Sequence, residues 1–452
     1  MNTALEPWQG ELLAAIPLHL RKRRLFLGLS GGLDSTLLLH GLVALRQAGH
    51  IDALQAVHVH HGLQAEADVW AERAQQLGNC LSVTVNVVRV CVNLAAKQGV
   101  EAAAREARYA AFYKLMQPGD VLLTGHHLDD QAETFILQLM RGAGVRGLSA
   151  MPLLQPVFLP EGEAWHLRPL LSTSRDTLYQ HASQQGLDWV DDPSNTDIRL
   201  ARNLVRHKVL PRLQQHWPQA VQTLARCAQR MASTESLLLD LARHDLEEAR
   251  GEDVRCLSVD ALRRLSVPRR ENAVRGWLLE LGLPSPPAAR LHELGRVLDA
   301  RTDALPKLAW PGAVLQRWRG GLYVVPDEVE AAVPWPGCDW SLQQPLELPD
   351  LSLRLVASHE HGRGLKPELL RHGVRVCVRH EASLPPLASR TTLAKRLQEL
   401  GVPPWLRGHL PLLYTGDKLI QISELWVCPA CRAQDHELGT VISIEHLPCC
   451  VT

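Results

Sequence analysis

The chain has almost no net charge: 48 Lys and Arg residues stand against 48 Asp and Glu residues among 452 positions. That balance excludes a protein basic all over, so any contact with nucleic acid must come from local clusters of like charge. No apolar run is long enough to span a bilayer, which argues against a membrane partner. The opening residues lack a basic flank before an apolar core, and with Glu6, Pro7, Glu11 and Pro17 they do not read as a secretory signal. Ten cysteines are scattered without disulfide-like spacing, which points to a reducing, cytoplasmic home. Cys428-Pro429-Ala430-Cys431 and Cys449-Cys450 lack a paired second half and read as incidental thiols on an extended tail. There is no internal repeat and no low-complexity tract. A hydrophobic content of 46% over this length supports about three domains.

The first 150 residues alternate strand and helix signals. Strands are expected at 25–29, 54–59, 81–90 and 121–124, and helices at 35–45, 66–77, 100–116 and 129–140. This alternation predicts an α/β domain with a doubly wound parallel sheet. In such sheets ligands collect at the C-terminal ends of the strands. Three polar clusters fall at those ends: Ser30–Ser35, His58–Leu63 and Gly125–Glu133.

The first cluster, Ser30-Gly31-Gly32-Leu33-Asp34-Ser35, lies between a strand and a helix start. That arrangement turns backbone N–H groups toward a phosphate, with glycines permitting close approach. A plain capped turn is the bland alternative. No Lys follows the second Gly, so this is not the loop of the common nucleotide hydrolases. It instead resembles the S-G-G-x-D-S loop of the PP-loop ATP pyrophosphatases, which cleave ATP to AMP and pyrophosphate. By that resemblance Ser30, Gly31, Gly32, Leu33, Asp34 and Ser35 bind ATP, and Asp34 helps hold Mg²⁺, a cation that prefers oxygen ligands.

In the third cluster, Asp130 and Glu133 share a helix face at i,i+3, suited to Mg²⁺ or an ammonium group. His126 and His127 lack the local spacing for zinc. His58 ends the second strand, near where a nucleotide would lie, although a satisfied strand-end histidine is the simpler reading of it alone. Arg105 and Arg108, at i,i+3, suit a phosphate; a solvated helix face is the alternative. Arg199, Arg202 and Arg206 are read as one basic helix face without interleaved acids, suited to a nucleic-acid backbone.

Together these segments, with Gly147–Met151, Arg168-Pro169-Leu170-Leu171, Asp192-Pro193-Ser194-Asn195, Arg202-Asn203 and Gly401–Arg407, resemble the tRNA(Ile)-lysidine synthases over almost the whole chain. Departures fall at His60, where the family usually has Asn or Asp, and at Gln64, where Arg is common. The resemblance implies adenylation of the C2 oxygen of the wobble cytidine in a CAU-anticodon isoleucine tRNA. The ε-amino group of L-lysine then displaces AMP. It implies ATP and Mg²⁺ as cofactors, Asp34 and Asp130 as metal ligands, and Asp34, Arg105, Arg108, His126, Asp130 and Glu133 as the catalytic set. His126 is the expected acceptor of the lysine proton. Another PP-loop tRNA-modifying enzyme such as a 2-thiolase is the alternative, though its nearest cysteines would be Cys80 and Cys91. A homodimer is left open.

The resulting division is a catalytic domain over 1–215, a mainly helical tRNA-binding domain over 216–325 and a Pro- and Trp-rich linker over 326–350. A small α+β tRNA-binding domain over 351–430 and a tail over 431–452 complete it. Lys395, Arg396 and Arg407 are the tRNA-contact candidates in the small domain.

Overall fold

A computed structural model describes residues 5–62, 64, 66–92, 100–251, 253–301, 306–325, 335–351, 353–371, 373–379 and 390–446. The described chain divides into two units, Met1–Leu237 and Leu238–Thr452.

The first unit opens with α1 (Pro7–Ala15), followed by β1 (Arg24–Gly28), α2 (Leu33–Gln47), β2 (Ala53–His60), α3 (Ala67–Cys80) and β3 (Thr84–Arg89). It continues with α4 (Val100–Leu115), β4 (Val121–Leu123), α5 (Leu128–Met140), α6 (Val145–Leu148), β5 (Leu154–Leu159), β6 (Gly162–Leu167) and α7 (Arg175–Gln184). The sheet order is β3-β2-β1-β4-β6-β5, parallel except for the β5–β6 hairpin. After Arg24, strand β1 is apolar because both its faces are covered. Leu25 and Leu27 pack with Leu37, Leu38 and Leu42 of α2, whereas Phe26 packs with Phe112 and Met116 on the other face. Asp120, just before β4, ties the start of β1 through Arg24 at 2.6 Å.

The strand order turns back between β1 and β4. Leu25 and Leu27 stand level with Val121 and Leu123 there. The loops that leave these two strands therefore emerge side by side, as expected of a topological switch point. A Cβ on Gly125 would lie 3.1 Å from the backbone of Asp34, so glycine lets the two loops approach without pushing that backbone aside.

Helix α8 (Ala201–Leu204) runs through a π turn at Val205–Val209 into α9 (Leu210–His216). Val205 and Leu210 seat this run on Ala132 and Ile136 of α5. The β5–β6 hairpin has no counterpart among the expected strands.

The second unit differs from expectation in three places. Residues 216–325 carry the expected helices, among them Ala220–Ala249 and Val267–Glu280, but also a sheet that was not expected: Cys256–Ser258, Lys307–Trp310, Ala313–Trp318 and Gly321–Val325 pair antiparallel. It shares its core with Leu246, Leu262, Val274 and Trp277. The 326–350 stretch is not simply a linker, because Cys338–Trp340 and Leu346–Leu348 pair into sheets and Trp340 is buried. The 431–452 stretch is not a free tail either: Leu438–His446 pairs along all nine residues of Leu353–His361. The expected helix appears as Arg390–Glu399, with Leu393 and Leu397 packed on Leu412, Tyr414 and Ile422. The expected hairpin turn closes at Gly416, in the left-handed region at φ +57°. Cys449 and Cys450 lie outside the described residues.

Candidate active site

The β1–α2 loop is built for an anion. Gly31 takes φ +85° and Gly32 caps α2 with no side chain over its first turn. The leading N–H groups of a helix have no intrahelical acceptor, so those that open α2 are available to an anion, although Gly32 N–H donates to Ser30 Oγ at 3.3 Å. Leu33 begins that turn and packs its side chain against the core. The loop's own oxygens are tied back. Ser30 Oγ and Ser35 Oγ are 3.0 Å apart, Ser35 Oγ donates to the Gly32 carbonyl at 3.1 Å, and Val190 N donates to the Gly31 carbonyl at 2.9 Å.

Asp34 follows on the first turn. Its Oδ1 is buried and has no partner among the described residues. Burial pushes its carboxyl above the usual carboxylate range, against the pull of nearby His127. His127 Nε2 stands 3.8 Å from Asp34 Oδ2 and 3.5 Å from Asp130 Oδ2, and Nδ1 stands 3.6 Å from Asp129 Oδ2. Burial works against its cation, yet Asp129, Asp130 and Asp34 together raise its pKa. The sequence pattern does not single out His127 once zinc is set aside; the run of carboxylates around it is the available signal.

Asp130 and Glu133 do share a face of α5, and both are buried. What meets them corrects the basic stripe. Arg199 precedes α8, is exposed and pairs with Asp197 at 2.7 Å, so the three arginines share no helix face. Arg202 and Arg206 point inward. Arg202 Nε reaches Glu133 Oε2 at 2.8 Å and Arg206 Nε reaches Glu133 Oε1 at 2.6 Å. Both also donate to Asp130 Oδ1, at 3.1 and 3.0 Å. The acids missing from their own helix are supplied by α5. Burial would raise the Asp130 carboxyl, but His127, Arg202 and Arg206 hold it far below the usual range.

This engagement also corrects Asp130 as a metal ligand. Oδ1 takes two guanidiniums and Oδ2 accepts the His127 backbone N–H at 3.1 Å. Among the described residues no cluster of three or more His, Cys, Asp or Glu side chains could by itself hold a metal ion. Asp34 does fit Mg²⁺, through the buried Oδ1 that has no partner among the described residues.

Ser30, Asp34, His58, Arg105, Arg108, His126 and Asp130 all line one cavity of about 700 Å³; Glu133 lies behind it, wholly buried. Arg105 stacks over the Tyr109 ring at 5.0 Å. His58 is buried and its Nδ1–H donates to the Leu29 carbonyl at 2.9 Å, bracing the strand that feeds the phosphate loop. His126 does not suit its expected role. Burial, with Arg168, Arg105 and Arg202 nearby, lowers its pKa to about 3, too low for a base near neutral pH. In the second unit, Lys395 is exposed. Arg396 pairs with Glu399 at 3.2 Å and lies over the Trp426 ring, and Arg407 donates to the Val402 carbonyl at 3.0 Å.

A phosphate-ready loop beside an acidic switch-point cavity defines a PP-loop domain, and residues 6–213 match the model of that domain. Residues 257–323 match a TilS substrate binding domain and residues 374–444 a TilS substrate C-terminal domain. Over most of its length the chain is similar to proteins named tRNA(Ile)-lysidine synthase. It is 42% identical to that of Alkalilimnicola ehrlichii, covering 88% of each chain. It is 39% identical to that of Yersinia pseudotuberculosis, over 92% of this chain and 94% of the relative, and 35% identical to that of Coxiella burnetii, over 98% and 99%. The chain belongs to the tRNA(Ile)-lysidine synthase family.

Proposed function

We propose that this protein is an ATP-dependent ligase that joins lysine to C2 of the wobble cytidine in a CAU-anticodon isoleucine tRNA, releasing AMP and pyrophosphate. The observation that carries the reading is the meeting of two charge environments in one cavity. The N–H groups at the start of α2 with Arg105 and Arg108 suit a polyphosphate, while the unpartnered Asp34 Oδ1 and the Asp130 carboxylate at the cavity wall suit a cation. In this reading Ser30, Ser35 and the α2 terminus hold the departing pyrophosphate. Arg105 and Arg108 hold the α-phosphoryl oxygens through charge-assisted bonds. Asp130, kept ionised by His127, Arg202 and Arg206, borders the cavity and draws the lysine ammonium to the adenylated base, while Glu133 behind it holds the two arginines in place. Asp34 offers Oδ1 to Mg²⁺, which when bound would spread the charge of the phosphates.

Arg199, Lys395, Arg396 and Arg407 are our candidates for tRNA phosphate contacts. No helix among the described residues is long and apolar enough to cross a membrane, and a tRNA substrate suits a cytoplasmic enzyme. The 2-thiolase alternative gains nothing, because no cysteine is found among the described residues lining the cavity. The test is to incubate the protein with ATP, lysine and the tRNA, then analyse the nucleosides by mass and the nucleotides by chromatography. Lysidine with AMP is expected. ADP, or unmodified cytidine beside consumed ATP, would overturn the reading.

A further inference from the structure

Arg168, His166, Thr124 and His126 form a hydrogen-bonded row that ends at the cavity. Arg168 Nη2 lies 2.9 Å from His166 Nδ1. A guanidinium can only donate, so Nδ1 is bare and the neutral His166 ring carries its proton on Nε2. That nitrogen lies 2.9 Å from Thr124 Oγ1 and donates to it. The hydroxyl then has one proton to give, and His126 Nδ1 lies 2.7 Å away. His126 is left with its proton on Nε2. The first direction cannot reverse, and among the described residues the Thr124 hydroxyl has no acceptor for its proton other than His126 Nδ1.

The row is also held in place. His166 and Thr124 are buried, Tyr109 packs 5.5 Å from the His166 ring, and Arg168 is fixed by the Pro152 carbonyl at 2.8 Å. His126 Nε2 has no hydrogen-bond partner among the described residues, and its ring borders the cavity.

We infer that Arg168, His166 and Thr124 are positioning residues that lock His126 as the Nε2–H tautomer, making it a hydrogen-bond donor to a phosphoryl oxygen in the cavity. The identity of that acceptor rests on the proposed function; the tautomer does not. A ring locked this way serves anionic oxygen, whereas a ring taking a proton from an amine would need a bare nitrogen facing the cavity.

The test uses the full chain with ring-¹⁵N histidine. Two-dimensional NMR at neutral pH should show His126 protonated at Nε2 and bare at Nδ1. Thr124→Val replaces the hydroxyl with a methyl of the same shape. It should abolish the tautomer preference and lower kcat for AMP formation about tenfold, short of the 10²–10³ for loss of a whole oxyanion donor. KM for ATP should change far less. Thr124→Ser should restore both the tautomer and kcat. A wild-type Nδ1–H tautomer in an active enzyme overturns the inference alone, as does a Thr124→Val variant with unaltered tautomer and kcat. The Nε2–H tautomer in a protein that makes no AMP overturns the proposed function, and the donor role with it.

Discussion

Replacing Arg206 with Met should destabilise the first unit strongly, and removing Glu133's charge should then undo part of the damage. Glu133 is fully buried and its Oε1 is held by Arg206 alone, at 2.6 Å. Arg206→Met also breaks the bonds to Glu133 Oε2 at 3.1 Å and Asp130 Oδ1 at 3.0 Å. Stripping one partner from a buried ion pair costs about 3–5 kcal/mol, chiefly because the remaining charge is left uncompensated. Arg202 still holds Oε2, which places the expectation near the lower figure, about 3 kcal/mol. For a unit of this size that is a fall in melting temperature of about 6–12 °C. Glu133→Gln alone should also destabilise, since two guanidiniums then share Asp130. Made on top of Arg206→Met, it removes the uncompensated charge and should recover stability. Scanning calorimetry of wild type, both single variants and the double variant closes the cycle. A coupling energy of about 2 kcal/mol is expected; additivity within about 0.5 kcal/mol would show that the cluster does not act as a unit.

The parallel sheet and its loops were legible in the sequence because each signal was local. A strand, a glycine turn and a helix start follow one another at Leu25–Leu45, and β1 to β4 alternate with helices in the same way. What the sequence hid was pairing at a distance. Arg202 and Arg206 read as a surface stripe because the acids that face them lie about 70 positions earlier, on α5. Leu438–His446 read as a tail because its partner strand, Leu353–His361, lies far upstream in the chain. The sheet within 256–325 was masked by short strands among Arg- and Leu-rich helices, whose apolar periodicity dominates a sequence window. His126 stood out in the sequence, but the contacts that set its tautomer did not, because they come from Thr124, His166 and Arg168. Only the fold brings these side chains into one row.

The remaining predictions test separate parts of the site and fold. Asp34→Asn should lower AMP formation by about 10² or more, yet leave the melting temperature unchanged or higher, because burial already disfavours that charge; a large loss of stability would contradict this. Lys395→Ala with Arg396→Ala should weaken tRNA binding and shallow its log–log salt dependence by about one for each phosphate no longer neutralised; an unchanged slope would remove both residues from the interface. Cys431→Ser should cost about 1 kcal/mol, since a hydroxyl is costlier to bury than a thiol even beside Cys428 and Lys418, whereas the partly exposed Cys428→Ser should stay within about 0.5 kcal/mol with activity intact; equal effects in urea unfolding would refute the contrast. The last prediction concerns acid. Burial first, then nearby guanidiniums such as Arg168, lower His126 to about 3 and His166 to about 2, from an ordinary 6.5. Below pH 6.5 the unfolded chain therefore binds protons that the folded chain refuses. Stability should be level with respect to these two groups above pH 6.5 and fall as pH drops toward 3, at up to about 1.4 kcal/mol per pH unit for each ring. His127 acts in the opposite sense: its raised pKa supplies stability that is full below 6.5 and is lost as pH rises through its folded value. Urea titrations between pH 7 and 4 should give a shallower acid slope for His166→Gln than for wild type, and parallel slopes would mean that these imidazoles titrate as if in water.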